Sequence, residues 1–315
     1  MKKFLAFLFS ALFIAANAAP AQSMIPASAA VAAALNSEQL LNWPLFQQMA
    51  GPQLQAGLAK AQLTAQDIQG TIAIGVTFAK VQPKENLRFD AIINFKNPVA
   101  AKLFAALESE LAKNPNMVKS NEKGKICLSA DNFKVVLLSR NELTCQGILG
   151  NKLKFAKLGK SKNIFSKIKL PRGTATIVFD FNRLGKFFAE HIPAELKPMV
   201  DNKLYSGITV DLLPDGSLKY SSLDTFKTAA ACKEALALTK AQLVEAKANP
   251  ALAAIVDKVK IETVSPTAVR TSSELSATDV QMAAGSIMML AMAQAQKSAA
   301  AAAPAVQTAP ATPVK

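Results

Sequence analysis

The chain has 315 residues, of which 36 are Lys or Arg and 22 are Asp or Glu, and its formal net charge is +14. Half of the residues are hydrophobic, so the composition excludes an intrinsically disordered chain, and three cysteines are too few for a disulfide-dense scaffold. No catalytic constellation and no Cys/His spacing typical of a metal site stands out. We therefore expect no catalytic residue, no cofactor and no metal ion.

The first 18 residues are typical of a signal peptide for export. Lys2 and Lys3 precede an apolar run over residues 4–16, and Ala16-Asn17-Ala18 is a small-x-small cleavage site. The apolar run is shorter than the roughly 20 residues that a membrane-spanning helix needs. We expect cleavage after Ala18, with a cut after Ala21 as the alternative, and an extracytoplasmic location in the periplasm or outside the cell.

Strand and helix patterns alternate along the part of the chain that follows. Ile25-Pro26 opens a strand-like run to residue 35, and Asn36 and Ser37 are candidates for the N-cap of a helix. Residues 70–74 and 87–95 have the apolar pattern of strands. A second helix is expected to begin with Asn97 as its cap and Pro98 at its first position.

The next predicted element is a hairpin with strands over residues 125–129 and 134–139 and a turn at 130–132. Cys127 and Cys145 flank this hairpin, and we predict that they form a disulfide. Cys232 shares a helical spacing with Leu236 and Leu243, so we predict a buried free thiol on the apolar face of a helix.

The same order of elements occurs a second time. Leu170-Pro171 opens a strand like Ile25-Pro26, at an offset of 145, or 144 after one gap, and the strand at 207–210 matches 70–74 at an offset of 137. Residues 218–228 match 87–97 at a constant offset of 131. Thr228 is the expected cap of the second copy's long helix, and Pro214-Asp215-Gly216 is a strong turn signal between its two hairpin strands.

Each copy therefore indicates strand, helix, hairpin, helix and strand. We predict an α+β fold of two tandem βαββαβ-like modules, with antiparallel sheets and helices packed on one face, in the order of a ferredoxin-like split βαβ. The expected divisions are a first module over 22–150, a basic linker over 151–169, a second module over 170–297 and a disordered Ala/Pro tail over 298–315. The pattern leaves open whether the two sheets join.

The Ile-Pro and Leu-Pro strand starts and the helix motif Leu41-Asn42-Trp43-Pro44-Leu45 resemble those of exported bacterial tandem α+β proteins of unknown function. The resemblance covers most of residues 25–295. It implies the tandem α+β fold and brings no activity with it.

The stretch that joins the copies is the most basic part of the sequence. It holds eight positive charges and no negative one, at Lys152, Lys154, Lys157, Lys160, Lys162, Lys167, Lys169 and Arg172. Either this stretch is a solvated connector, or it binds an anionic partner such as anionic lipid, lipopolysaccharide or a cell-wall polymer. Leu153, Phe155, Ile164, Phe165 and Ile168 interleave with the lysines, which fits a strand with one buried face or a stacking platform.

Towards the C-terminus, Ser276 and Asp279 form a capping-box-like start, and residues 280–295 are predicted to form an almost uncharged helix. That helix is either buried core or an apolar binding surface.

Three hypotheses of function follow. The first, which we favour, is a non-enzymatic structural or binding module of the cell envelope that contacts an anionic component. The second is a carrier of a lipid or other amphiphile, and the third is an unrecognised hydrolase. No physiological nucleic acid is expected outside the cytoplasm, and the sequence leaves the oligomeric state open.

Overall fold

The computed structural model describes residues 19–60, 62–81, 84–112, 115–149, 153–156, 162–188, 197–248, 250–283 and 285. The predicted signal peptide, the Ala/Pro tail and most of the predicted helix over 280–295 lie outside these residues. Of that last helix, residues 277–283 are helical, with Val280 buried and Met282 exposed.

The strands are β1 Val31–Asn36, β2 Gly70–Val81, β3 Lys84–Phe95, β4 Val118–Glu122, β5 Lys125–Ala130, β6 Phe133–Leu137, β7 Glu142–Leu149, β8 Ala175–Asp180, β9 Lys203–Leu212, β10 Leu218–Phe226, β11 Lys260–Ser265 and β12 Ala268–Leu275. All twelve belong to one sheet, in the order β11-β12-β10-β9-β8-β1-β2-β3-β7-β6-β5-β4. Every neighbouring pair is antiparallel. The predicted α+β class with antiparallel pairing is confirmed.

The helices are α1 Ala19–Ser23, α2 Ser37–Asn42, α3 Pro44–Met49, α4 Gly51–Lys60, α5 Ala100–Leu111, α6 Phe181–Phe188, α7 Lys197–Asn202, α8 Ala229–Lys247 and α9 Pro250–Val256, and residues 164–167 form a 3₁₀ turn. Of the described helices, none is both long and apolar enough to cross a membrane.

Local signals placed most helix starts correctly. The Asn36 side chain accepts a hydrogen bond from Gln39 N at 3.3 Å, and the Thr228 hydroxyl accepts one from Ala231 N at 3.1 Å, so both predicted N-caps are confirmed. Asn97 is not a cap, and α5 begins three residues after it. The Asn97 amide instead donates to the carbonyl of Gln66, 3.2 Å away, and so holds the preceding loop.

The pairing of β1 with β8 joins the two halves of the sheet. Ala33 lies opposite Ile74 of β2 on one side and opposite Ile177 of β8 on the other. The sequence left open whether the sheets of the two modules join, and the structure shows that their strands form one sheet. The ferredoxin-like split order is wrong, since β1, β2 and β3 pair in chain order and the connection from β1 to β2 returns antiparallel.

Side chains alternate between the two faces of the sheet, which can be followed across the paired strands. We call the side to which Ala33, Ile74 and Cys145 point the helix face. There, Leu58 of α4 and the buried side chains of α5 pack on the strands of the N-terminal half. On the same face, α8 packs on the C-terminal half, where Cys232 joins a cluster with Phe226 and Val269.

The opposite side, to which Ala32, Asp90 and Val178 point, is covered in its central part and is named the linker face. Helix α1, residues 24–29 and the 3₁₀ turn pack there against Ala32, Val178 and Ile92. Ile25 lies so close to Gly75 of β2 that a β-carbon at Gly75 would be 2.8 Å from the Ile25 Cγ2 atom. In addition to the helices on the predicted face, two chain segments therefore cover the central part of the other face.

The three cysteines are free thiols, and the predicted Cys127–Cys145 disulfide is not formed. Strand β6 lies between the strands that carry them, which separates their α-carbons by about two strand spacings, or roughly 9.5 Å. A disulfide needs α-carbons within about 7 Å. Cys127 pairs across β6 with Thr144, whose side chain points to the linker face, whereas Cys145 points to the helix face. The prediction that Cys232 is a buried free thiol is confirmed.

We expect titration of the unfolded, unreduced protein with a thiol reagent to count three thiols, and titration of the folded protein to count close to none. All three side chains are buried, and burial raises the pKa of the Cys145 thiol to about 12 and raises that of Cys232, which keeps the reactive thiolate scarce. Only one thiol in the unfolded protein would contradict the strand order of β5, β6 and β7.

Candidate functional site

A buried ion pair lies on the linker face of the N-terminal half. Arg88 and Asp90 are two residues apart on β3 and share this face, and the Arg88 Nε atom donates to the Asp90 carboxylate at 2.9 Å. Asp90 is fully buried and also accepts a hydrogen bond from Gln146 of β7 at 2.6 Å. Taking both charges out of water is costly, so the pair requires further hydrogen bonds.

The chain segments that cover this face provide those hydrogen bonds. The Arg88 guanidinium donates to the carbonyl of Lys154 in the linker at 3.2 Å, to the Ser28 hydroxyl at 3.1 Å and to the Thr77 hydroxyl at 3.2 Å. One side chain of the sheet thus holds both the linker and the N-terminal segment.

Asn163 makes a second connection between the two segments. Its amide donates to the carbonyls of Ile25, at 3.1 Å, and Gln22, and its oxygen accepts from Phe165 N at 3.1 Å, which caps the 3₁₀ turn. Ile164 in that turn and Ile168 directly after it are buried against the sheet, and Phe165 packs partly buried against the same cluster. Leu153 and Phe155, the other apolar side chains that interleave with the lysines, are half-buried.

The basic side chains of the linker point the other way. Lys154, Lys162, Lys167, Lys169 and Arg172 are exposed. Lys152, Lys157 and Lys160 lie outside the described residues. The described members of the predicted set thus lie on two stretches that contact the sheet: residues 153–156, held at Lys154 by Arg88, and residues 162–172, held by Ile164, Ile168 and the bond between Thr209 and Pro171.

Beyond Arg172, the linker face of the C-terminal half opens into a cavity of about 470 Å³. Its lining is dominated by charged and hydroxyl side chains, and the lining residues are Pro171, Arg172, Thr209, Asp211, Lys219, Tyr220, Ser221, Lys258, Lys260, Ser272, Ser273 and Glu274. The sequence analysis missed all of these residues except Arg172.

Cross-strand pairing explains how these residues meet. Lys260, Ser272, Ser221 and Thr209 are successive partners across β11, β12, β10 and β9, and they form one row on the cavity floor. Glu274, Lys219 and Asp211 form the next row, two residues along the strands. On β9, Thr209 and Asp211 alternate with apolar residues, which is a signal for the polar face of a strand. The floor residues of β12 show no such alternation, and the pairing register that assembles the rows is not visible in one sequence.

The wall of the cavity is the end of the linker, which is pressed against β9. A β-carbon at Gly173 would be 2.4 Å from the Thr209 Cγ2 atom and 2.8 Å from the carbonyl oxygen of Val210, so only glycine fits there. The Thr209 hydroxyl donates to the carbonyl of Pro171 at 3.3 Å. These contacts fix the backbone that carries Arg172.

The charges in the cavity are only partly balanced. Lys219 forms an exposed ion pair with Glu274 at 3.1 Å, and Asp211 accepts a hydrogen bond from the Thr174 hydroxyl at 3.0 Å. Lys258 pairs with Asp279, and this pair, together with hydrogen bonds from Ser276, lowers the pKa of the Asp279 carboxyl to about 2.

The bond from Ser276 N to the Asp279 carboxylate, at 2.7 Å, confirms the predicted capping box. Among the described residues, Arg172 and Lys260 have no carboxylate partner. No group of His, Cys, Asp and Glu that could hold a metal ion occurs in the described ranges.

No protein-family model matches the chain, and no curated protein matches it. Among solved structures, the chain is similar to three crystal forms of the protein TP0453, which share 8–11% identity with it. Form III has a TM-score of 0.45 and form I one of 0.43, each over 84% of this chain and 96% of that chain. Form IV has a TM-score of 0.42 over 85% and 96% of the two chains. At these scores the similarity bears on neither the site nor the function.

We expect Arg88→Met to lower the free energy of unfolding by about 3–5 kcal/mol, because it leaves the Asp90 carboxylate buried without its cation. Lys219→Met is the matched control on β10: its side chain is half exposed, and its ion pair is worth at most about 1 kcal/mol. Urea unfolding of both variants gives the two values. An equal loss of unfolding free energy in the two variants would show that the hydrogen bonds of Arg88 do not stabilise the segments that cover the linker face.

Proposed function

We propose that this chain is an exported, non-enzymatic binding module of the cell envelope that holds an anionic envelope component against the basic segment between residues 153 and 172. The observation that carries the proposal is the exposure of Lys154, Lys162, Lys167, Lys169 and Arg172 on a segment that is anchored to the sheet. A segment that only connects the two halves does not require these anchoring contacts.

Anchoring matters because a fixed array of charges loses less conformational entropy when it binds than a loose one. Arg88 holds the Lys154 backbone, and Ile164 and Ile168 hold the 3₁₀ turn, so the charged side chains of these two described stretches project from backbone that is already fixed. The segment continues into Arg172 at the cavity wall, so the basic surface and the cavity adjoin on one face of the sheet.

Export through a cleaved signal peptide is part of this proposal. Ala21 and Ile25 are buried beneath the linker face, with 1% and 0% of their surface exposed. A cut after Ala18 leaves both side chains in the mature protein, whereas a cut after Ala21 removes one of them. This burial supports the cut after Ala18.

Duplication of one module is also part of the proposal. Outwards from the β1–β8 pair, the strand order is β1-β2-β3-β7 on one side and β8-β9-β10-β12 on the other. Ile25 packs on Gly75 and Leu170 packs on Gly207, although the offset of 137 aligns Gly207 with Gly70. The shared strand order is therefore the feature that supports a common origin of the halves.

The residues that line the cavity support the first hypothesis of function over the second. A carrier of an acyl chain would enclose an apolar space, whereas this cavity is lined mainly by charged groups and hydroxyls. A binding module for a polar anion fits this lining better than a lipid carrier or a hydrolase does.

The test uses the mature protein purified from the envelope, whose N-terminus is expected at Ala19. Its binding to vesicles that contain lipopolysaccharide is measured by cosedimentation. Lys162→Gln, Lys167→Gln and Lys169→Gln together should weaken binding at least about tenfold, because each basic residue near an anionic surface contributes about 1 kcal/mol. Binding should also fall with added salt, because exposed charges are screened over about 8 Å at physiological ionic strength.

The control is the triple variant Lys123→Gln, Lys233→Gln and Lys240→Gln, which removes the same charge from exposed positions elsewhere. Both triple variants should stay within about 0.5 kcal/mol per site of the parent in stability. If the two variants bind equally well, net charge alone drives the binding, and the proposed role of the basic segment is wrong.

A further inference from the structure

The cavity on the C-terminal half differs from the corresponding area on the N-terminal half in one respect. On β3, the cation of Arg88 is covered and makes hydrogen bonds to the linker carbonyl of Lys154 and the hydroxyl of Ser28. On β10, the offset of 131 residues places Lys219 at the position of Arg88, and none of the described segments covers it, since 52% of its side chain is exposed. The polar groups of this half therefore remain open to a ligand.

Two cations flank the first floor row, Lys260 at one end and Arg172 on the wall beyond Thr209, and they attract an anionic group. Arg172 on the wall and Lys260 on β11 both line the cavity, and neither has a carboxylate partner in the described parts of the chain. An arginine guanidinium binds a phosphate through two parallel hydrogen bonds, and a lysine ammonium serves as a second, more flexible donor. A phosphate is the anion that suits this pair of donors best.

The floor between these two cations calls for a ligand with several hydroxyl groups. Ser221 and Ser272 supply hydroxyls that both donate and accept, and the carboxylates of Asp211 and Glu274 accept from ligand hydroxyls. A purely apolar ligand would form no hydrogen bonds with these groups. A sugar ring supplies hydroxyls at the spacing of neighbouring carbons and so matches such a floor.

We propose that this cavity binds the phosphorylated sugar unit of an anionic ligand, with the phosphate between Arg172 and Lys260 and the sugar hydroxyls on the rows formed by Ser221, Asp211 and Glu274. The inference rests on the proposed function only for the expectation that the natural source is an envelope glycan. The same chemistry is present in a free sugar phosphate and in the sugar head of a glycolipid.

The probe is glucose 6-phosphate, titrated calorimetrically into the full-length protein, with glucose and inorganic phosphate as the two partial ligands. The sugar phosphate should bind more tightly than either partial ligand. Arg172→Gln and Lys260→Gln should each weaken the binding of the sugar phosphate about tenfold, because hydrogen bonds to charged groups are stronger than those between neutral groups. Ser221→Ala should weaken binding of the sugar phosphate and leave that of inorganic phosphate unchanged.

Lys233→Gln, on the exposed side of α8, is the control and should change nothing. Inorganic phosphate that binds as tightly as the sugar phosphate, or binding that Lys260→Gln leaves intact, would overturn the inference. If lipopolysaccharide competes with glucose 6-phosphate, the natural ligand is a glycolipid head. If it does not compete, the natural ligand is a free sugar phosphate. Because Lys162, Lys167 and Lys169 are unchanged in these variants, failure here is distinguishable from failure of the basic segment to bind vesicles.

Discussion

Strands β1 and β8 pair along five residues each, and this pairing removes what would otherwise be an open edge on each half of the sheet. β1 is rich in alanine, and its small side chains on the linker face leave space for α1 and the 3₁₀ turn to pack closely. The cluster beneath these covers draws side chains from both halves, among them Ala73, Val178 and Leu223. The joined sheet is thus the surface on which the basic segment is fixed.

The two halves use similar polar positions in different ways. Around Arg88, the sheet's own charges are buried and neutralised, and they hold the linker in place through its backbone. Around Lys219, the same face is open, and its charges are balanced mainly by exposed ion pairs that a ligand can displace at little cost. The first half therefore supplies rigidity, and the second supplies the accessible polar surface, with the linker running from one to the other.

Features set by neighbouring residues could be predicted from the sequence, because turns and caps need only a few positions. The turn at Gly216, which has a φ of +87°, and the cap at Thr228 were both predicted correctly. The positions of Cys127 and Cys145 could not be, since β6 lies between their strands and their side chains point to opposite faces. The cavity was missed for the same reason. Lys260 lies in one row with the floor hydroxyls only because four strands pair in a particular register, and no local sequence pattern contains that register.

Hydrogen exchange of the backbone amides tests the joined sheet most directly. If β1 and β8 lie at the centre of one cooperative sheet, their amides exchange only through global unfolding, at the same slow rate as those of β2 and β9. Mass spectrometry of peptic peptides that cover residues 31–36 and 175–180 measures this rate. Exchange in these two peptides that is orders of magnitude faster than in β2 and β9 would show that the halves separate in solution and would contradict the account.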